Sequence, residues 1–367
     1  MKYAIVIPDG AADLPLDELD GRTPLAAAKT PNMDWVAAHG KIGTVRTVPP
    51  GLSCGSDVAI MSVLGYDPKR YYTGRAPLEA AAQNIEVSPT QWVFRCNLVT
   101  VVDGCMEDHS AGHISSEEAA TLIAELNRLL GGSHITFYAG VGYRHLMTYD
   151  AAVDVRTTPP HDILDKPIAE HLPTGQGAEM LRTLIDRSRQ ILTEHEINTV
   201  RRDLGENPAS SIWLWGQGKM PTLPSFVDRF GLKGSAITAV DLVRGLAKLI
   251  GWDRIDVPGA TGYVDTDYAG KGAAAGEALD KYDLVCVHVE APDEAGHNRD
   301  VAGKLRAIEQ IDRYVVGPVL ERLRAEGDDW RILVLPDHPT PCMRRTHTPE
   351  PVPFAIAGKR IEAVLKT

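Results

Sequence analysis

Acidic and imidazole side chains follow three apolar stretches of this sequence that we predict to be β-strands. In chain order these polar residues are Asp9 after AIVI, Asp293 and His297 after LVCVHV, and Asp337 with His338 after RILVL. In open α/β sheets, functional groups collect beyond the carboxyl ends of the strands, so we expect these side chains to meet at one edge of a sheet. Carboxylate oxygens mixed with imidazole nitrogens suit Mn²⁺, Zn²⁺ or Mg²⁺, and imidazole favours the first two. The pattern therefore predicts a divalent-metal site.

Each of these residues also has an ordinary structural interpretation. Asp9 lies in Pro-Asp-Gly, where aspartate is more often a turn former. Asp293 and His297 are four residues apart, and such a pair is more often a surface interaction on a helix. An isolated Asp-His at 337–338 would usually belong to a loop or a cap, and His347 alone indicates nothing. Their joint occurrence at three strand ends is what favours the metal site.

A serine that opens a predicted helix is the candidate nucleophile. Ser56 lies in the Gly-rich stretch GLSCGSDVAIMSVLGYDP, and the helix is predicted from about this residue to Leu64. The hydroxyl would lie beside free backbone N–H groups that bind a phosphoryl oxygen. A serine hydroxyl ionises poorly at neutral pH, and divalent cations activate it. The alternative is a serine that only caps the helix.

A Gly-x-Ser-x-Gly match, with Ser53 at its centre, lies in the same stretch. An esterase elbow needs a strand running directly into the serine, and two prolines occupy that place here. The match is therefore interpreted as chance, with Ser53 kept as a second candidate nucleophile.

The elements that must position these groups indicate an α/β protein. Lys2–Ile7, Leu284–Val289 and Arg331–Leu335 are apolar runs without alternation, which is typical of parallel strands buried on both faces. A predicted helix over 303–324 separates the last two runs. The sequence thus predicts a mostly parallel sheet covered by helices on both faces.

The middle of the chain predicts a smaller α+β domain inserted into this core. A strand at 92–103, an amphipathic helix at 116–130 and paired strands at 134–149 follow one another there. The chain is also longer than one typical domain. We assign residues 1–96 and 178–367 to the core with the predicted metal site and residues 97–177 to the inserted domain.

Composition argues against several classes of protein. The 367 residues carry a net charge of −11 and no clustered basic run, so a nucleic-acid partner is not expected. The five cysteines form no Cys-x-x-Cys pair, which argues against a disulfide framework or a zinc knuckle. Apolar stretches are too short for a signal peptide or a membrane span, so we expect a cytoplasmic protein without a membrane partner. Walker and dinucleotide-binding fingerprints do not occur. A monomer and a homo-oligomer both remain open.

The sequence resembles the alkaline phosphatase superfamily and, within it, the archaeal-type cofactor-independent phosphoglycerate mutases. The matching text covers nearly the whole chain and includes PDGAADLP, TPLAAAKTPNMD, GSDVAIMSVLGYDP, YYTGRAPLEA, DVPGATGY, HVEAPDEAGHNRD, and LPDHPTPC followed by THTPEPVPF. The resemblance implies an alkaline-phosphatase-like phosphotransfer core with an inserted cap that binds the substrate, and the domain at residues 97–177 fits that cap. It implies two divalent cations, no 2,3-bisphosphoglycerate, and a small phosphorylated substrate.

The resemblance also implies roles for individual residues. One metal site would be formed by Asp293, His297 and His347, and the other by Asp9, Asp337, His338 and the Ser56 oxygen. Ser56 would take the phosphoryl group of 3-phosphoglycerate and return it to the other hydroxyl, which gives 2-phosphoglycerate. Arg75 from the core, with His113, Arg144 and His161 from the cap, would hold the glycerate.

The chain departs from the archaeal pattern around its metal motif. It reads PDHPTP where Gly and Ser typically flank Asp-His, and its last histidine lies in RTHTPEPVP. The ligands are retained, so these departures concern the substrate. A homoserine kinase of the same family, which would pass phosphate from a nucleotide through Ser56, is the alternative. A metal-dependent phosphatase and a non-catalytic metal-binding protein also remain.

Overall fold

The structure, a computed structural model, describes residues 1–364 and divides into two compact units. The first unit comprises Met1–Tyr72 and Thr222–Thr367, and the second, Thr73–Pro221, is inserted between these two segments. Within residues 1–364, no helix has the length and apolar character that crossing a membrane requires.

The strands and helices are as follows. The strands are β1 (Lys2–Pro8), β2 (Gly40–Val45), β3 (Trp92–Val102), β4 (Cys105–Asp108), β5 (Ile135–Val141), β6 (Arg144–Tyr149), β7 (Asp154–Arg156), β8 (Thr174–Gln176), β9 (Ser211–Lys219), β10 (Gly234–Ile237), β11 (Asp253–Ile255), β12 (Leu284–Val289), β13 (Trp330–Val334) and β14 (Val352–Gly358). The α-helices are α1 (Pro24–Ala27), α2 (Pro31–Ala38), α3 (Ser56–Val63), α4 (Pro68–Tyr71), α5 (Arg75–Ala82), α6 (Ser116–Leu130), α7 (Ala178–Thr193), α8 (Glu196–Asp203), α9 (Phe226–Phe230), α10 (Asp241–Leu249), α11 (Tyr268–Lys281), α12 (Ala291–His297), α13 (Val301–Ile311) and α14 (Gly317–Arg324). Short 3-10 helices lie at Asp17–Leu19, Pro160–Ile163 and Ile168–His171, and a π-helix at Asp312–Val316 joins α13 to α14.

A seven-stranded, mostly parallel sheet forms the first unit, in the order β11-β10-β12-β1-β13-β14-β2. Strand β1 pairs in parallel with both β12 and β13, so Pro8 lies opposite Val289 and Val6 lies opposite Val334. The carboxyl ends of these three strands are therefore adjacent, as the sequence predicts. The antiparallel strands β14 and β2 at one edge were not predicted, and β2 is mostly exposed and lacks an apolar face.

Alternate residues of β1 pack into different apolar cores. Ala4 and Val6 pack in a cluster with residues of α11, α13 and α14, whereas Ile5 and Ile7 pack in a cluster with residues of α3 and α10. Burial on both faces explains the uninterrupted apolar sequence of this strand. The predicted α/β class, with a parallel sheet covered on both sides, is confirmed.

The second unit is a smaller α+β fold. Strands β4, β3, β6 and β5 form an antiparallel sheet in that order, and β9 pairs with β3. Helices α6 and α7 pack on this sheet through residues that include Leu122, Leu126, Leu181 and Ile185. Helix α6 begins with a capping box formed by Ser115 and Glu118. The predicted helix and paired strands of this region are present.

The units divide at 72/73 and 221/222, which differs from the predicted boundaries at 96/97 and 177/178. The predicted boundary after residue 96 would cut through β3. The cause is long-range pairing: β9, whose apolar sequence looks like a core strand, pairs antiparallel with β3 along Trp92–Val99. Helix α7 follows β9 into the second unit because both contribute to the same apolar cluster.

Candidate metal centre

The structure brings the seven side chains predicted to hold cations into one region of the first unit. Each is placed by an element described above: Asp9 follows β1, Ser56 opens α3, Asp293 and His297 lie on α12 directly after β12, Asp337 and His338 follow β13, and His347 lies in the loop before β14. The four carboxylate and imidazole groups next to the strand ends are buried, as is Ser56, and His297 and His347 are half-buried.

Asp293, His297 and His347 form the first subsite, with ligand atoms within 4.8 Å of one another. His297 Nε2 lies 3.2 Å from Asp293 Oδ2, His347 Nε2 lies 3.4 Å from Asp293 Oδ1, and the two Nε2 atoms are 2.9 Å apart. The Nδ1 atoms are each 3.1 Å from a backbone carbonyl oxygen, of Arg345 and Cys54 respectively. A carbonyl only accepts hydrogen bonds, so each Nδ1 carries a proton, and Nε2 is the atom that would present its lone pair to a cation.

Charges inside the first subsite show that a cation must compete with protons there. Burial alone would lower the pKa of His297, but the hydrogen bond and the charge of Asp293 outweigh it and raise this pKa to about 9. Burial would raise the pKa of Asp293, whereas the hydrogen bonds of His297 and His347 bring it well below its ordinary value. A proton is thus held between Asp293 and His297 at neutral pH, and a cation that bound there would have to displace it.

Asp9, Asp337, His338 and Ser56 form the second subsite. His338 Nε2 lies 3.4 Å from Asp337 Oδ2, 3.6 Å from Asp9 Oδ1 and 3.1 Å from Ser56 Oγ. Asp9 Oδ1 and Asp337 Oδ2 are buried and receive no hydrogen bond from the residues that the structure describes. Buried carboxylate oxygens are normally satisfied, so two such atoms converging on an imidazole and a hydroxyl fit a divalent cation.

Like charges concentrate in the second subsite. The pKa of Asp9 is raised well above its ordinary value, because of burial first and then because of the negative charges of Asp337 and Asp293. Asp293 also has a ligand atom within 4.8 Å of those of Asp9 and His338, so the two subsites are neighbours. A cation would offset this repulsion between buried carboxylates.

The local structure favours Ser56 as the candidate nucleophile over a serine that only caps the helix and over Ser53. Gly55 is the N-cap residue of α3 in an extended conformation, and Ser56 is the first helical residue. Its Oγ donates toward Asp9 Oδ2 at 3.4 Å and contacts His338, so the hydroxyl is turned toward the cluster and does not cap the helix. Ser53 lies exposed in the preceding loop.

Sequence reasoning missed His288, which is buried one residue before the end of β12. Its Nε2 lies 2.8 Å from Asp9 Oδ2, and its Nδ1 lies 3.1 Å from Thr238 Oγ1. Burial lowers the pKa of His288 to about 4, so the ring is neutral and donates from Nε2 to the carboxylate. This histidine therefore orients Asp9: it binds Oδ2, and Oδ1 faces the second subsite. Its place near the strand end is the signal in the sequence, but the largely apolar run LVCVHV predicts only a buried strand.

The four predicted substrate-binding residues all lie in the second unit. Arg75 opens α5 there, and not in the core as the resemblance implied. His113 is exposed in the loop after β4, Arg144 is exposed at the start of β6, and His161 is exposed in a 3-10 helix. These residues are far apart in sequence, and two further residues show how close together they lie.

Arg95 on β3 is the first of these. Its guanidinium carbon lies 4.3 Å from the Trp215 ring centroid, and its Nε lies 3.0 Å from a carboxylate oxygen of Glu79. Burial lowers the pKa of Arg95, although the charge of Glu79 alone would raise it. The charges of Arg75 and Arg144 lower this pKa further. Three arginines are thus close enough for their charges to act on one another.

His109 is the second. Its ring centroid lies 6.2 Å from that of His161 and 5.7 Å from that of Tyr143. Burial lowers the pKa of His109, and the charge of His113 contributes in the same direction. Desolvation is the main cause that lowers the pKa of His161 to about 4, and the charges of nearby arginines act in the same direction. The charge of Asp162 opposes this shift. We call Arg75, Arg95, His109, His113, Arg144 and His161 the arginine–histidine cluster of the second unit.

Comparison with known proteins identifies the family of this chain. A sequence model of 2,3-bisphosphoglycerate-independent phosphoglycerate mutase matches residues 37–198. A relative of that name from Methanothrix thermoacetophila is 54% identical over 361 residues, which is 98% of this chain and 92% of the relative. The chain belongs to this phosphoglycerate mutase family.

Further members and solved structures extend the likeness. A probable phosphoglycerate mutase of the same kind from Geobacter sulfurreducens is 50% identical, over 97% of this chain and 90% of its own. A protein of known structure from Pyrococcus horikoshii matches with a TM-score of 0.81 and 31% identity, over 98% of this chain and 88% of that one. A cofactor-independent phosphoglycerate mutase from Thermoplasma acidophilum matches with a TM-score of 0.65 and 28% identity, over 99% and 92%. The family predicted from the sequence is confirmed.

Proposed function

We propose that this protein interconverts 3-phosphoglycerate and 2-phosphoglycerate through a phosphoserine at Ser56, without 2,3-bisphosphoglycerate. The observation that carries the proposal is the place of Ser56 Oγ, 3.1 Å from His338 Nε2 and 3.4 Å from Asp9 Oδ2. It thus stands beside buried carboxylate oxygens that receive no hydrogen bond within residues 1–364. This arrangement supports the proposal, because it would put the nucleophile beside the metal ligands that activate it.

The reaction consists of two displacements at phosphorus. Ser56 Oγ forms a bond to phosphorus as the bond to the glycerate oxygen breaks; the serine loses a proton and the departing oxygen gains one. The other glycerate hydroxyl then attacks the phosphoserine, and Ser56 is regenerated with its proton. Two bound divalent cations would make the serine hydroxyl more acidic and withdraw negative charge from the phosphoryl oxygens.

The donor set favours particular cations in this proposal. The first subsite offers two imidazole nitrogens and a carboxylate, and the second offers one imidazole with two carboxylates and the Ser56 oxygen. Mixed nitrogen and oxygen donors suit Mn²⁺ or Zn²⁺ better than Mg²⁺. We propose that Asp9, Asp293, His297, Asp337, His338, His347 and Ser56 are the ligands.

The arginine–histidine cluster of the second unit is the proposed binding site for the anionic groups of the substrate. A phosphoglycerate carries a phosphate and a carboxylate, and both are groups that arginine binds through paired hydrogen bonds. We propose that Arg75, Arg144, His113 and His161 hold these anionic groups, with Arg95 among them. Neutral histidines there, such as His161 with its lowered pKa, would supply hydrogen bonds to the hydroxyl groups.

The proposal is tested by incubating the protein with 3-phosphoglycerate and Mn²⁺ and measuring 2-phosphoglycerate and free phosphate separately. We expect 2-phosphoglycerate as the main product. Its absence, together with ATP-dependent phosphorylation of homoserine, would eliminate the mutase in favour of the kinase. Rapid release of free phosphate would indicate a phosphatase. Ser53→Ala is a matched control for Ser56→Ala, because both hydroxyls lie within the same short stretch and Ser53 is exposed.

A cytoplasmic location is part of this proposal. The five cysteines are free thiols, which is typical of proteins in reducing compartments. Fractionation of the source cells, followed by the mutase assay, tests the location.

A further inference from the structure

Thr340 touches both metal subsites from the loop that follows β13. Its side chain is fully buried. Its Oγ1 is hydrogen-bonded to Asp293 Oδ1 and lies 3.3 Å from Nδ1 of His338. Asp293 belongs to the first subsite and His338 to the second, so one hydroxyl joins a ligand of each.

The direction of these hydrogen bonds follows from the groups involved. An ionised carboxylate only accepts, so the Thr340 hydroxyl donates its proton to Asp293. The Thr340 oxygen is then left to accept a hydrogen bond from Nδ1–H of His338. With Nδ1 protonated, the neutral ring of His338 presents its lone pair from Nε2, the atom that faces Ser56, Asp9 and Asp337.

Close packing holds the Thr340 hydroxyl in this position. The Thr340 carbonyl accepts a hydrogen bond of 2.8 Å from Nζ of Lys304, which also forms a buried ion pair of 2.9 Å with Asp13. A Cβ added at Gly10 would lie 2.6 Å from Thr340 Oγ1, and one added at Gly296 would lie 2.9 Å from its methyl carbon. The backbone, hydroxyl and methyl of Thr340 are therefore each in contact with a different part of the unit.

We infer that Thr340 is a positioning residue that couples the binding of the two cations. A cation in the first subsite fixes the Asp293 carboxylate, and the hydrogen bond fixes the Thr340 hydroxyl. That hydroxyl in turn holds His338 in the tautomer and orientation that the second cation needs. Linkage requires the same coupling in the opposite direction. The inference rests on the two-metal site proposed above, but its test measures cation binding and requires no mutase activity.

The test compares Thr340→Val with Thr340→Ser in calorimetric titration of chelator-treated protein with Mn²⁺. Valine keeps the shape of threonine and removes the hydroxyl, whereas serine keeps the hydroxyl and removes the methyl. We expect the wild type and Thr340→Ser to bind two cations with positive coupling of about 5- to 150-fold. Thr340→Val should lose this coupling and bind the second cation about 10- to 100-fold more weakly. Should valine prevent folding, Thr340→Ala carries the same expectation.

Thr100→Val is the matched control. Thr100 is also a buried threonine, and its hydroxyl donates to the Pro208 carbonyl in the second unit at 2.8 Å. Its loss should reduce stability and leave cation binding unchanged. Coupled binding of two cations by Thr340→Val would overturn the inference, and so would a Thr340→Ser protein as defective as Thr340→Val. A wild type that binds fewer than two cations would contradict the proposed metal site itself.

Discussion

Gly10, directly after Asp9, is the position where adding a single methyl group should disturb the proposed metal centre and leave the protein folded. Its φ is +61°, and a Cβ there would lie 2.5 Å from Asp293 Oδ1, 2.6 Å from Thr340 Oγ1 and 2.7 Å from Asp293 Cα. Carbon and oxygen atoms that are not bonded do not approach so closely. Gly10→Ala must therefore displace Asp293 or Thr340.

The expected loss of stability has two parts. A left-handed backbone costs a residue with a Cβ about 1–2 kcal/mol. Forcing an extra methyl into a packed interior costs about 1–3 kcal/mol more. We expect Gly10→Ala to lower the free energy of unfolding by about 2–5 kcal/mol in total.

Gly21→Ala isolates the first part. Gly21 has a φ of +74°, and within the described part of the chain nothing lies within 4 Å of its added Cβ. This control should lose about 1–2 kcal/mol and keep its activity and cation binding. In Gly10→Ala, a shift of Asp293 by about 1 Å should lower turnover roughly 100-fold. Urea unfolding, calorimetric titration with Mn²⁺ and the mutase assay measure the three quantities.

The outcome that would refute this reasoning is a Gly10→Ala protein that binds cations and turns over like Gly21→Ala. The first subsite would then tolerate a displaced Asp293, and the packing around it would have no functional role. Equal losses of function in both variants would also contradict it, because backbone strain would then explain the effect.

Four further outcomes are expected. Ser56→Ala should lower mutase turnover at least about 10³-fold, measured with an enolase-coupled assay; it should weaken cation binding at the second subsite, which loses one ligand, and leave the first subsite intact. His288→Leu removes the hydrogen bond to the carboxylate that follows β1, and calorimetry should show cation binding weakened about 10- to 100-fold. Burial would lower the pKa of His297, but the hydrogen bond and charge of the neighbouring carboxylate outweigh it and raise this pKa to about 9. Cation binding should therefore release a proton below about pH 9, and cation affinity should rise with pH up to about 9. Titrations in buffers of different ionisation enthalpy measure both the proton release and the affinity. Burial would raise the pKa of Asp108, but hydrogen bonds led by those of Ser110 lower it to about 2. This carboxylate should thus stabilise the fold fully above its ordinary pKa and lose that effect as pH falls toward 2, so Asp108→Asn should flatten the acid limb of a pH-dependent unfolding curve.

The convergence of Asp9, Asp293 and Asp337 could be predicted from the sequence because it depends on a local signal. Each follows an apolar run, and parallel strands buried on both faces place their carboxyl ends together. The helical spacing of Asp293 and His297 was equally local, and α12 supports it. The cluster could thus be predicted without the full strand order, because it requires only that the three strands be adjacent.

Features that depend on the register between distant segments could not be predicted in this way. His288 contacts Asp9 because β12 lies beside β1 with Ile7 opposite His288, a pairing of residues far apart in the chain. Arg75 and β9 belong to the second unit for the same kind of reason, since β9 pairs with β3. Apolar strand sequences alone do not say which sheet a strand joins.

Anomalous diffraction from crystals grown with Mn²⁺ tests the central claim most directly. The account predicts two manganese peaks per chain, one contacted by Asp293, His297 and His347 and the other contacted by Asp9, Asp337, His338 and Ser56 Oγ. A single peak, or a second peak that the Ser56 oxygen does not contact, would contradict it.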